Sequence, residues 1–186
     1  GILATVLAYD PVTNIWVTRA PMPTARSGLG VGVVNGILYA VGGYGAGGFS
    51  RTVEAYDPVT NSWTTKAPMP TARRGLGVGV VNGILYAVGG EASFTGSSAV
   101  EAYDPVTNSW ATSALLPTAR DFLGVGVVNG ILYAVGGRDR TVEAYDPATN
   151  SWVVKASTLT VHGSGVGVVS GVLYAVGGGL AEAYQP

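Results

Sequence analysis

The sequence predicts an all-β protein made of four-stranded antiparallel units, about four of them in one chain. Three observations predict it. The run GVGVVNGILYAVGG stands unchanged at 30–43, 77–90 and 124–137 and returns as GVGVVSGVLYAVGG at 165–178. A second run, AYDPVTN or AYDPATN followed by Trp, recurs at Tyr9, Tyr56, Tyr103 and Tyr145, with a last fragment, AEAYQP, at Tyr184. No window carries apolar residues at helical spacing, while short strand-like runs lie between turn signals.

The unit at 75–113 shows how each element follows from its residues. Gly75–Val81 is small and β-branched and predicts a strand. Asn82-Gly83 predicts a two-residue hairpin turn, because both positions need positive φ. Ile84–Val88 is a continuous apolar strand closed by Gly89-Gly90. After a variable loop, Val100–Tyr103 alternates apolar and polar residues. The Asp104–Asn108 turn follows, in which Pro105 fixes φ and the aspartate can accept from nearby amides. Trp110 then marks a short outer strand. The same pattern predicts units at 28–66 and 122–155. At the ends, 163–169 and 172–177 predict two inner strands, and the stretches near 5–9 and 15–19 predict two outer ones. A fourth unit is therefore expected from 163–185 plus 1–20, with 1–186 as one domain. Short strands at even spacing, punctuated by glycine and aromatic residues, fit a β-propeller.

Composition agrees and narrows function. Among 186 residues, 29 are Gly and 11% are charged, against about 25% in an ordinary soluble domain. At 47% apolar, the chain can build a core and is not disordered. A net charge of −1 gives no electrostatic footprint for nucleic acid. With no cysteine and a single histidine, His162, thiolate metal sites and cysteine nucleophiles are excluded, and no metal or cofactor is expected. The stretch from Gly28 to Phe49 has no charge and is long enough to span a bilayer as a helix, but its nine glycines and Asn35-Gly36 turn predict strands instead. The chain starts with Gly rather than Met, which predicts a processed, cut or engineered N-terminus.

Together, the diglycine closing ILYAVGG, the Tyr of EAYDP, the Trp after TNS and the PMPTAR stretch resemble kelch repeats, over essentially the whole chain. The resemblance implies a propeller of four-stranded antiparallel kelch blades with the Gly/Val strand innermost. Kelch rings commonly hold six or seven blades, whereas this chain holds about four and has five copies of the third-strand motif. A compact four-blade ring with a spare strand, a larger ring shared by two chains, and part of a longer array all remain compatible with that count.

Strand alternation sorts the turns onto two faces. The Asn-Gly turns and Asp-Pro turns share one face and hardly vary. The opposite face carries the divergent loops at Tyr44–Arg51, Glu91–Ala99 and Arg138–Arg140 and the PTAR segments. Binding residues are usually found on such variable loops. Phe49, Phe94, Phe122 and Tyr44, the aromatic residues outside the repeat positions, lie there, and Phe122 replaces the glycine seen at Gly28 and Gly75. Seven of the ten basic residues lie there too, among them Arg26, Arg73, Arg120, Arg74 and Arg138. In kelch proteins that recognise acidic peptides, arginines before the inner strand line the channel mouth and hold carboxylates. The resemblance implies that role for Arg26, Arg73 and Arg120, though the fourth repeat has Val161 there. A guanidinium fork suits a carboxylate, but an arginine repeated in each blade can equally bond the carbonyls of a neighbouring loop. Glu54, Glu101, Glu143 and Glu182, which recur on the third strand, are expected to be structural or solvated.

The expected function is a non-catalytic binding or scaffold module. Its candidate ligand residues are Arg26, Arg73, Arg120, Tyr44, Phe49, Phe94, Phe122 and Arg138. The partner expected is a protein, an acidic peptide or a glycan, with self-association into a larger ring a further possibility. The alternative is a purely structural repeat without a dedicated ligand. The resemblance also brings in copper oxidases and sugar mutarotases. The copper chemistry needs a Cys-linked Tyr and a pair of His, both missing here. The loop face offers a mutarotase only Glu91, Asp121, Asp139 and His162, with no spacing pattern. No enzyme activity is expected.

Overall fold

A computed structural model describes residues 1–160, 163, 165–177 and 180–186. Val161 and His162, named above, lie outside the described residues. The chain opens with a hairpin of β1 (Val6–Asp10) and β2 (Ile15–Arg19). Blade one consists of β3 (Gly30–Val34), β4 (Ile37–Val41), β7 (Val53–Asp57) and β8 (Ser62–Lys66), with a small hairpin of β5 (Tyr44–Gly45) and β6 (Gly48–Phe49) between its second and third strands. Blade two is β9 (Gly77–Val81), β10 (Ile84–Val88), β13 (Val100–Asp104) and β14 (Ser109–Thr112), again with a hairpin, β11 (Glu91–Ala92) and β12 (Thr95–Gly96). Blade three is β15 (Gly124–Val128), β16 (Ile131–Val135), β17 (Val142–Asp146) and β18 (Ser151–Lys155). Blade four holds β19 (Gly165–Val169), β20 (Val172–Gly177) and β21 (Leu180–Tyr184). All pairings are antiparallel meanders, and the four blades are arranged as a β-propeller with no helix among the described residues. Among the described residues no helix is long and apolar enough to cross a membrane.

Turn chemistry sets the register. Val81 pairs with Ile84, leaving Asn82 and Gly83 as the turn, at φ of 50° and 80°. This left-handed pair matches the right-handed twist of the strands. In the Asp-Pro turns, the Val59 amide donates to Asp57 Oδ1 at 2.8 Å and the Val106 amide to Asp104 Oδ1 at 2.8 Å. Tyr56, Tyr103 and Tyr145 each donate to the turn asparagine five residues on, at 2.8 Å.

Blades interlock along their inner strands. A Cβ on Gly79 would lie 2.9 Å from both Val125 and Leu132, so only glycine leaves room for the valine of the next blade. Between the outer strands, Trp63 Nε1 donates to the Ala20 carbonyl at 2.8 Å, and Trp110 and Trp152 donate to Ala67 and Ala114 at 2.9 Å. The core is accordingly three clusters at successive blade boundaries, each holding buried Val, Leu and Tyr from two blades.

Residues 1–20 and 163–185 do not share one sheet. β1 pairs with β2 alone, and β19–β21 form a separate three-stranded sheet. The hairpin is held to blade one, because the Ala20 amide donates to Asn61 Oδ1 at 2.9 Å and Leu3 bridges to Arg26.

Candidate functional site

The three repeated arginines are buried, with relative exposures of 2%, 0% and 3% for Arg26, Arg73 and Arg120. Each folds inward from the segment before the inner strand and meets the third-strand glutamate of its own blade. Arg26 Nη2 lies 3.0 Å from Glu54 Oε2, Arg73 Nη2 lies 2.7 Å from Glu101 Oε2, and Arg120 pairs with Glu143. Further Nη hydrogens go to backbone carbonyls, as when Arg73 donates to Ala99 at 3.0 Å and to Gly89, while the buried Nε of each arginine has no partner. The other oxygen of each carboxylate accepts from a threonine hydroxyl: Thr24 at 2.7 Å, Thr71 at 2.5 Å and Thr118 at 2.8 Å. Burial pulls the Arg26 and Arg73 pKa values down against the raising effect of Glu54 and Glu101. The carboxylates that the sequence assigned to a ligand are thus matched by carboxylates of the chain itself, and the three guanidinium forks face inward, away from solvent. Glu54, Glu101 and Glu143 are buried clasp residues, each paired within one blade, whereas half-buried Glu182 accepts from the Leu159 and Thr160 amides.

Exposed chemistry gathers elsewhere on the same face, around Arg74. The bridges Ser27–Tyr44 and Arg74–Glu91 tie the two small hairpins to the inner-strand approaches. They bring four aromatic residues from three blades together. The Arg74 guanidinium carbon lies 5.0 Å from the Tyr44 ring centroid, 5.7 Å from Phe49 and Phe94, and 6.0 Å from Phe122. Phe49 meets Tyr44 at 5.3 Å and Phe94 at 5.0 Å, both edge-on. Beneath them, Arg74 pairs with buried Glu91, and Arg138 forks onto buried Asp121 with two contacts of 2.6 Å. Two cations and two carboxylates leave this patch nearly neutral in charge.

Phe94 and Phe122 sit in the left-handed region, at φ of 62° and 50°. Gly28 and Gly75 hold the place of Phe122 in the other blades at φ of 61° and 60°. A bulky side chain at such φ costs about 1–2 kcal/mol, yet Phe94 is 64% and Phe122 40% exposed, so burial recovers little of it.

Of the residues selected from sequence, Tyr44, Phe49, Phe94, Phe122 and Arg138 therefore come together, and Arg26, Arg73 and Arg120 do not join them. Arg74, at the centre of the cluster, was not selected. The signal was present: its place is Ser27 in the preceding repeat and Asp121 in the following one, so it diverges directly after an arginine that does not.

The family model described as the kelch motif matches residues 25–70, 72–114 and 119–158. A segment of 35 residues is 54% identical to Kelch-like ECH-associated protein 1A of Danio rerio, covering 19% of this chain and about 6% of the relative's length. With three consecutive matches over most of its length and the blades they require, the chain belongs to the kelch-repeat family.

Proposed function

We propose that the chain is a non-catalytic binding module whose ligand surface is the cluster of Tyr44, Phe49, Phe94 and Phe122 around Arg74, with Arg138 at its edge. Kelch repeats generally act as protein-binding scaffolds, and the family is generally non-catalytic. The observation that carries the reading is the pair of exposed phenylalanines held at strained φ on the variable face. Backbone strain of this kind collects at functional sites. The near neutrality of the patch favours apolar or aromatic side chains of a protein partner over an acidic peptide or a glycan. The Danio rerio relative is by name ECH-associated, which supports a protein as the class of ligand.

Panning a displayed peptide library on the immobilised chain tests this. Selected peptides should be rich in apolar and aromatic residues and lose at least tenfold in affinity against Phe94→Ala/Phe122→Gly, as expected of central aromatic anchors. Binding should change little with added salt, whereas an acidic ligand would weaken steeply as charges are screened. Undiminished binding to the double variant would sink the proposal. Failure to select any peptide would favour the purely structural reading, which the inward-facing arginine clasps support.

A further inference from the structure

Two surfaces at opposite ends of the blade series are the separated halves of a joint that the molecule makes three times within itself. At each internal joint, glycines of one inner strand receive valines and a leucine of the next blade. A Cβ on Gly32 would lie 2.8 Å from Val78, one on Gly79 would lie 2.9 Å from Val125, and one on Gly126 would lie 3.0 Å from Leu173. The equivalent Cβ on Gly167 meets nothing within 4 Å. The matching knobs stand at the other end: Val31 and Val33 are 55% and 56% exposed, and Leu38 is half-buried where Leu85 and Leu132 are fully buried. Around Gly167 the loss continues. Tyr174 is 38% exposed, against 4–8% for Tyr39, Tyr86 and Tyr133, and Val169 and Val176 are exposed where their counterparts are buried.

The outer strands show the same division. Blades one, two and three each seat a tryptophan on the carbonyl of Ala20, Ala67 or Ala114, in the segment following the preceding fourth strand. Ala156 is the next such residue. Blade four has no fourth-strand tryptophan, and a cavity of about 380 Å³ opens there, lined by Ala156, Leu159, Leu173, Ala181, Ala183 and Tyr184 among others. At the other end, Trp16 on β2 is 64% exposed. The hairpin β1–β2 contacts blade one through Ala20 and Asn61 as blade one contacts blade two through Ala67 and Asn108, so it occupies the place of the outer half of a blade preceding blade one. The sequence carries the same match. Where three repeats pair Arg with Glu, the fourth has Val161 with Glu182 on its own third strand, whereas the hairpin has Leu7 at the glutamate position, which would set an apolar residue with Val161.

We infer that a second copy of this chain fills the gap: blade one of one copy seats on blade four of the other. The incoming β1–β2 hairpin displaces β21 from its five-residue pairing with β20 and supplies blade four with a third and a fourth strand, with Trp16 Nε1 donating to the Ala156 carbonyl. The chain does not supply this hairpin to itself, since its own is hydrogen-bonded to blade one while both end faces stand open. Each joint is head-to-tail, and two such joints related by a two-fold axis close a ring from two chains.

Sedimentation of the 186-residue chain across micromolar concentrations tests this. The expected species has twice the 18.8 kDa of one chain. Gly167→Val should give a folded monomer, because the added side chain meets nothing within the protomer and blocks only the incoming valines. Trp16→Ala should weaken pairing at least tenfold, and Val106→Lys, on an exposed turn of blade two, should leave it unchanged. The inference is overturned by a wild-type monomer, by a Gly167→Val variant that pairs normally, or by open polymers in place of a closed pair. Because neither end face includes Phe94 or Phe122, failure here leaves the peptide-binding result independent.

Discussion

Arg73 is wholly buried and makes sense only with its partners. A buried guanidinium is costly to desolvate, and Glu101 together with three carbonyls offsets that cost. Arg73→Met should therefore lose about 3–5 kcal/mol in urea unfolding, by stranding the Glu101 carboxylate. Arg73→Met/Glu101→Leu should regain part of this, the remainder reflecting carbonyls left without a donor. A loss below about 1 kcal/mol in the single variant would contradict a structural clasp. Tyr103 makes a second prediction at this scale. Burial, and after it Tyr39 and Asp104, pushes its hydroxyl pKa up to about 12. A raised folded-state pKa means that the stability it contributes is complete below the unfolded value near 10 and is lost as pH rises toward 12. Absorbance at 295 nm should show Tyr103 ionising near pH 12 in the folded protein, well above the usual tyrosine range. A fully reversible titration of all ten tyrosines near pH 10 in the folded protein would refute this.

At the scale of the element, the hairpins depend on their turns. Asn82 sits at φ 50°, which asparagine tolerates and valine does not. Asn82→Val should cost about 1–2 kcal/mol by thermal or urea unfolding, and Asn82→Gly much less; equal losses would show that the turn is not what sets the register. Strands were legible because each carries its own pattern: β9, β10 and β13 begin or end within two residues of the predicted limits. The small hairpins β5–β6 and β11–β12 were not, because two-residue strands have no periodicity to show, and each is tied to the blade by a bridge to Ser27 or Arg74.

At the scale of the whole molecule, repetition makes one interface serve three times, and its two unused halves account for the exposed valines of β3, β19 and β20, for Trp16 and for the cavity beside Ala156. The scarcity of charge follows from the same packing, since blades stacked face to face bury both sides of their inner strands. The four-strand order of blades one to three, the turn types, the repeat and the identity of the variable face were legible in the sequence alone, because each is a local pattern recurring at a fixed spacing, whereas the pairing of residues 1–20 and 163–185 was not. Where the arginines point was decided only by the tertiary structure. An arginine at the start of an inner strand has the same local sequence whether it reaches out to a ligand or back to a glutamate twenty-three to twenty-eight residues away, and the choice rests on the depth at which the third strand places that carboxylate. The assembly of Tyr44, Phe49, Phe94 and Phe122 around Arg74 was decided in the same way, by the convergence of three blades on one face.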